Sequence, residues 1–237
     1  MLAFCGAGVS AESGVPTFRG AGGLWEGHRV EDVATPEAFE QDPLLVWRFY
    51  AARQRSLRSV EPNPAHRVLA EMERHYREFL LVTQNVDNLH ERAGSEQLLK
   101  LHGSLLETRC TECERVTPCD PVPESDLDAG RLPHCRCGGL LRPNVVWFGE
   151  FLNPAHLRET QAFFRDPARS GPTVVLIIGT SGAVGGGYGI TSAARWCGAR
   201  LVEINPAVSA FSREMDLVLR EPAGELLGRV WPRVVDG

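Results

Sequence analysis

The chain opens on a short apolar run, Leu2–Cys5, that passes without a break into Gly6-Ala7-Gly8-Val9-Ser10-Ala11, and this junction restricts the fold more than any other stretch. Gly6, Gly8 and Ala11 fit a G-x-G-x-x-G/A pattern, in which glycines let a strand turn tightly and bring backbone N–H groups up to a pyrophosphate. A dehydrogenase-type fingerprint would continue into an uninterrupted helix of about a dozen residues and then a second strand. Here Gly14 and Pro16 break such a helix early. The residues from Thr17 to Trp25 are glycine-rich and aperiodic, so the turn leads into a long loop, and a loop of that length in a compact domain usually carries function. The glycines alone fit a ligand-free connection equally well.

Along the rest of the chain, apolar runs end repeatedly in polar clusters. Phe39, Leu44, Leu45, Trp47, Phe49 and Tyr50 recur at helical spacing between Pro36 and Leu57, which predicts two short helices split at Pro43. Tyr50 and Arg53, three apart, share a helix face, where an arginine fork beside a phenol could clamp a carboxylate; taken alone they read as surface residues. A predicted helix over Ala65–Arg77 feeds the run Phe79–Thr83, suited to a fully buried parallel strand, and Gln84-Asn85-Val86-Asp87-Asn88-Leu89-His90 follows at its end. Leu98–Leu101 ends in His102-Gly103. Asn144–Glu150 reads either as a buried strand or as an edge offered to an extended peptide. Thr173–Ile178 ends in Gly179-Thr180-Ser181-Gly182, with no Gly-Lys-Ser/Thr of a nucleotide P-loop, and Leu201–Ile204 ends in Asn205-Pro206 before a terminal strand, turn and helix over Leu217–Val230. Helices alternating with buried strands predict an α/β fold with a parallel sheet, and open sheets of that kind place ligand contacts at their strand ends.

A chain of 237 residues suffices for one large domain, alone or with a small companion. With 25 basic against 30 acidic residues, it carries no global positive field for nucleic acid or an anionic membrane. Its longest apolar run, Val174–Ile178, is far too short to span a bilayer, and no signal-peptide pattern precedes the glycine turn, so a cytoplasmic location is expected. Of seven cysteines, five lie between Cys110 and Cys137, which in a reducing compartment favours metal over disulfides. Cys110-x2-Cys113, a 21-residue spacer and Cys135-x-Cys137 approach the paired-knuckle spacing of a structural zinc site, closed by four thiolates and without an open catalytic position. The second pair is one residue tighter than usual, which leaves Cys119 or His134 as possible substitutes. Cys5 and Cys197 stand apart and read as small buried residues.

In this order the motifs resemble the sirtuins, NAD-dependent protein lysine deacylases, over nearly the whole chain. The likeness rests on Gly6–Arg19, Thr83–His90, Leu101-His102-Gly103, the two cysteine pairs, Phe148-Gly149-Glu150, Gly179-Thr180-Ser181 and Asn205-Pro206. Ala21, Tyr50 and Arg53 match the acyl-pocket positions of the class III branch, which includes bacterial enzymes, and this reverses the surface reading of the helical pair. The resemblance implies a Rossmann-like domain (residues 1–26, 59–108 and 144–237) carrying a smaller module, helical over 27–58 and a zinc ribbon over 109–143. It implies NAD contacts from Gly6, Ala7, Gly8, Ala11, Thr17, Phe18, Arg19, Gln84, Asn85, Asp87, Gly179, Thr180, Ser181, Asn205 and Ala223, with Asn85 and Asp87 at the nicotinamide end. Val145, Val146, Phe148 and Gly149 would flank the substrate peptide, and His102 would act as general base on a ribose hydroxyl. The implied reaction displaces nicotinamide with the acyl oxygen and yields O-acyl-ADP-ribose and free lysine, with succinyl, malonyl or glutaryl groups favoured over acetyl. A mono-ADP-ribosyltransferase and a catalytically weak NAD- or ADP-ribose-binding module are the alternatives. The chain departs from the family at Val184–Gly189, where four glycines disfavour helix, and it opens on the first strand, without the N-terminal helix of many members, as a minimal form or a mis-set start would. Acyl-lysine proteins or peptides are the expected partners, without nucleic acid or membrane, and a monomer is the expected state.

Overall fold

The computed structural model describes residues 1–17, 24–25, 27–165, 173–184 and 187–235. Strand β1 (Leu2–Cys5) is followed by a single-turn helix α1 (Gly8–Ala11), and Gly14 then takes φ +90°, so no long helix continues. Short strands β2 (Leu24–Trp25) and β3 (His28–Arg29) pair antiparallel and lead into α2 (Val30–Val33), α3 (Pro36–Gln41) and α4 (Pro43–Ser56). Next come α5 (Pro64–His75), β4 (Leu80–Thr83), α6 (Leu89–Ala93) and β5 (Leu98–Lys100). The chain continues through β6 (Gly103–Cys110), β7 (Val116–Pro118), α7 (Glu124–Asp128) and β8 (Leu141–Val145). It closes with α8 (Pro154–Arg165), β9 (Val174–Ile178), α9 (Tyr188–Trp196), β10 (Arg200–Ile204), β11 (Leu217–Leu219) and α10 (Ala223–Val235).

Three helices start on one local device, a polar cap followed by proline. Thr35 accepts from Ala38 N, Asp42 from Leu45 N and Asn63 from Ala65 N, and Pro36, Pro43 and Pro64 occupy the first helical position, where the missing N–H costs nothing. Pro43 therefore begins a helix of 14 residues, so the second helix of this region is not short.

Six parallel strands form one sheet in the order β11-β10-β9-β1-β4-β5. Numbered along the chain, this is the doubly wound order in which the first strand lies at the centre and the strand order reverses beside it. Side chains of β1 alternate between two cores. Ala3 and Cys5 join Leu69, Leu81 and Leu227 under α5 and α10, whereas Leu2 and Phe4 join Val82, Ile177 and Ile190 under α9. Burial on both faces explains why β1, β4 and β9 read as continuous apolar runs, each large side chain contributing about 1.5–3 kcal/mol.

A third core joins α3 and α4 to the antiparallel sheet β7-β6-β8 through Phe39, Trp47, Tyr50, Leu105, Leu127 and Trp147. Strand β8 has one strand partner among the described residues, so the stretch from Asn144 onward runs along a sheet edge. Cys5 is buried as expected; Cys197 is exposed, since it follows the last turn of α9 and joins none of the three cores.

Candidate active site

A cavity of about 1560 Å³ opens beyond the C-terminal ends of β1, β4 and β9, where the strand order reverses. Its sheet side carries Ala7, Gly8, Thr17, Gln84, Asn85, Asp87, His102, Gly179, Thr180, Ser181 and Asn205, and its other wall carries Tyr50, Arg53, Val145, Val146, Phe148 and Gly149. Residues more than a hundred positions apart are thus gathered on one space. Gly6, Ala11 and Ala223 are not among the lining residues. Phe18, Arg19 and Ala21 lie outside the described residues, as do Gly185 and Gly186.

The glycines of the first turn serve packing between backbones. A Cβ on Gly8 would stand 2.7 Å from Gly179 Cα, and one on Gly6 would stand 2.7 Å from Thr180 Cβ. The turn after β1 and the turn after β9 are therefore nested, with Gly8 N donating to Gly179 O at 2.8 Å. This nesting brings Ala7 and Gly8 beside Thr180 and Ser181 at the cavity. Ala223 is buried at the start of α10, and the next residue, Gly224, donates its N–H to Glu12 Oε1 at 2.8 Å.

His102 sits between β5 and β6, directly before Gly103. Its Nδ1 lies 2.9 Å from Gln84 O; a carbonyl only accepts, so Nδ1 carries the proton and Nε2 is left as the basic nitrogen. Burial holds the His102 pKa below the ordinary value of 6.5, against a smaller upward pull from that hydrogen bond, so the ring is neutral at pH 7. Gln84 is fixed in turn, its Oε1 accepting from Thr180 Oγ1 at 2.8 Å, and Asn205 Nδ2 donates to Thr180 O at 2.8 Å. One chain of hydrogen bonds thus ties the ends of β4, β9 and β10 to the imidazole.

Two residues that motif reading does not single out organise the floor. Ser10 Oγ donates to Asp87 Oδ2 at 2.9 Å, receives Asn85 Nδ2 at 3.1 Å and lies 3.4 Å from His66 Nε2. His66 Nδ1 accepts from Asn63 N, so its Nε2 is the protonated nitrogen and faces Ser10. Burial and, secondarily, Arg67 push the His66 pKa down to about 4. Ser10 is one residue inside the glycine motif, but His66 lies in a helix 56 positions away, and no local pattern marks the pair.

On the opposite wall, Tyr50 is fully buried and Arg53 nearly so, which overturns their reading as surface residues. Tyr50 Oη accepts from Trp147 Nε1 at 2.9 Å, and burial raises its pKa far enough to keep the phenol protonated. Arg53 Cζ stands 5.6 Å from the centroid of the Phe49 ring. The Val146–Gly149 stretch is held from both ends: Val146 N donates to His102 O and Phe148 N to Ala34 O. Glu150 pairs with Arg142 at 2.6 Å and accepts from Trp147 N. Burial works against its charge, but these partners outweigh it and hold its carboxyl below the ordinary value.

Away from the cavity, the sulfurs of Cys110, Cys113, Cys135 and Cys137 lie within 4.8 Å of one another. The Cys110–Cys137 and Cys113–Cys135 separations are 3.5 and 3.7 Å. A tetrahedron of sulfurs at about 2.3 Å from zinc has edges of about 3.8 Å, so the donor set fits a structural zinc ion. Cys119 instead donates to Asp120 O and His134 Nδ1 lies 3.3 Å from Gly138 O; neither joins the cluster.

A model of the Sir2 family matches residues 6–186. The chain belongs to the Sir2 family. It is 47% identical over 231 residues to an NAD-dependent protein deacylase 2 of Pyrobaculum aerophilum, covering 97% of this chain and 88% of that protein. It is 42% identical to an NAD-dependent protein deacylase of Thermococcus kodakarensis, covering 99% of this chain and 91% of that protein. Among solved structures, a Sir2 homologue in complex with NAD superposes with a TM-score of 0.89 at 41% identity, over 99% of this chain and 89% of that one. A Sir2 protein bound to an acetylated peptide superposes at 0.83 with 28% identity, over 100% and 93%. The doubly wound sheet and the cysteine cluster are accordingly those of a Sir2-family chain, and no helix among its described residues is long and apolar enough to cross a membrane.

Proposed function

We propose that this Sir2-family chain is a cytoplasmic NAD-dependent protein lysine deacylase of the class III branch, acting on succinyl-, malonyl- or glutaryl-lysine in preference to acetyl-lysine. The observation that carries the reading is the convergence of His102, Asn85, Asp87 and Thr180 with Tyr50 and Arg53 on one cavity. NAD, the co-substrate, supplies the activated C1′–nitrogen bond that is broken. Asn85 and Asp87, held by Ser10, face its nicotinamide end, and Gly8, Thr180, Ser181 and Asn205 face the remainder of the dinucleotide. The neutral Nε2 of His102 takes the proton from a ribose hydroxyl.

The acyl preference is supported by burial. Arg53 is 7% exposed and Tyr50 fully buried, so a dicarboxylate acyl group would meet a guanidinium and a phenol in a site with little competing water. Val145, Val146, Phe148 and Gly149 would line the path of the substrate peptide along the β8 edge. The two cores on the parallel sheet support assigning residues 1–26, 59–108 and 144–237 to the NAD-binding domain, and the third core supports a small domain of 27–58 and 109–143. The test is incubation of the zinc-loaded protein with NAD and a panel of acetyl-, succinyl- and malonyl-lysine peptides, with nicotinamide, freed lysine and protein-linked ADP-ribose followed by mass. Equal release of lysine and nicotinamide is expected, fastest with the dicarboxylate acyl groups. Protein-linked ADP-ribose without freed lysine would instead identify a transferase.

A further inference from the structure

The 25 basic residues of this chain comprise 24 arginines and a single lysine, Lys100. That lysine is the last residue of β5, two positions before His102, and it pairs in register with Thr83 at the end of β4. Its side chain is 14% exposed, and its ammonium meets acceptors from three directions. Nζ donates to Asp87 O at 2.6 Å and to Glu91 Oε1 at 2.7 Å, and Ser104 Oγ lies 3.5 Å away as the third and longest contact.

We infer that Lys100 is a positioning residue, which fixes the turn carrying Asn85 and Asp87 against the strand end carrying His102. The inference rests on the functional reading above, in which His102 is the base and Asn85 and Asp87 face nicotinamide. Asp87 is held at three points: Oδ2 by Ser10, Oδ1 by Leu89 N, and its backbone carbonyl by Lys100. The first two contacts tie Asp87 to α1 and α6; toward the segment that carries the imidazole, Gln84 O bonds His102 Nδ1 and Val86 O accepts from Leu105 N, and the ammonium adds the link that reaches Asp87 itself and ties it to the end of β5. The disposition of these acceptors suits a lysine. Acceptors disposed around one point suit a compact ammonium with three rotatable donors, whereas the planar fork of a guanidinium cannot meet them together. The chain uses arginine at its 24 other basic positions and lysine at this one.

The experiment compares the wild-type holoprotein with Lys100→Arg, Lys100→Met and Glu91→Gln. It measures kcat/KM for NAD at saturating acyl-peptide, KM for the peptide, ADP-ribose affinity by calorimetry, and the melting transition. Displacement of a reacting group by about 1 Å can cost about 10²-fold in rate, so Lys100→Arg and Lys100→Met are expected to lower kcat/KM for NAD by roughly 10- to 100-fold. Peptide KM and ADP-ribose affinity should stay within about twofold, because neither reports the nicotinamide end. Glu91→Gln retains an acceptor and should lose only a few-fold, which keeps the idea testable if the Lys100 variants fold poorly. Wild-type kcat/KM in Lys100→Arg, or ADP-ribose affinity falling in parallel with NAD turnover, overturns the inference. Absence of nicotinamide release from the wild type with every acyl-peptide overturns the deacylase reading instead.

Discussion

Replacing Arg53 by methionine isolates the acyl choice. The guanidinium is buried, stands over the Phe49 ring and shares the cavity wall with Tyr50. Methionine keeps an unbranched apolar stem of similar volume and removes the charge together with its N–H donors. Loss of a hydrogen bond to a charged partner costs about 1.5–3 kcal/mol, so kcat/KM for a succinyl-lysine peptide should fall roughly 10- to 150-fold. An acetyl group has no distal carboxylate to lose, and any weakening of the α4 packing acts on both substrates and cancels in their ratio. The assay is therefore a competition between succinyl- and acetyl-lysine peptides of one sequence, read by mass at early times. A succinyl-to-acetyl ratio that does not change between wild type and Arg53→Met would refute the assignment. Tyr50→Phe is the poorer probe, since it also strips Trp147 Nε1 of its acceptor.

The remaining expectations follow from the same geometry. His102→Ala should cut turnover by about 10²–10⁴-fold, and near-normal turnover would remove His102 from the mechanism. Because burial depresses the His102 pKa, its basic form prevails above 6.5 and the acid limb of kcat/KM should have its midpoint below that value; a midpoint above 6.5 contradicts the burial argument. His66 is held neutral with a pKa of about 4, so its contribution to stability is complete above the unfolded value near 6.5 and is lost as pH falls from 6.5 toward 4. That loss is on the order of 3 kcal/mol, and the melting temperature of wild type should fall more steeply than that of His66→Gln between pH 6.5 and 4; parallel curves contradict it. Removing zinc with a chelator should unfold the β6–β8 module and abolish activity, with one zinc per chain by elemental analysis in the active protein.

The sequence alone determined the alternation of buried strands and helices, the positions of the polar clusters at strand ends, and the two cysteine pairs of the metal site, whereas the fold decided that Cys119 and His134 stay outside it. Each is written over a few neighbouring residues: Leu80–Val82 is apolar throughout because both faces of β4 are covered, and Gln84-Asn85-Val86-Asp87 follows because the chain there leaves the sheet. The tertiary structure alone decided which clusters meet. Ser10, His66 and Asp87 lie up to 77 positions apart, and only the parallel pairing of β1 with β4 and the packing of α5 on that sheet bring them within hydrogen-bond reach. Tyr50 and Arg53 share a helix face legible from their spacing, but their burial depends on β6 and β8 covering α4, a contact no local period encodes. The opening glycines show the same division. Their sequence marks a sharp turn after β1, whereas their partner, the Gly179 turn at the end of β9, is set by strand order: a glycine can be read as a demand for close approach, but what approaches it is a property of the fold.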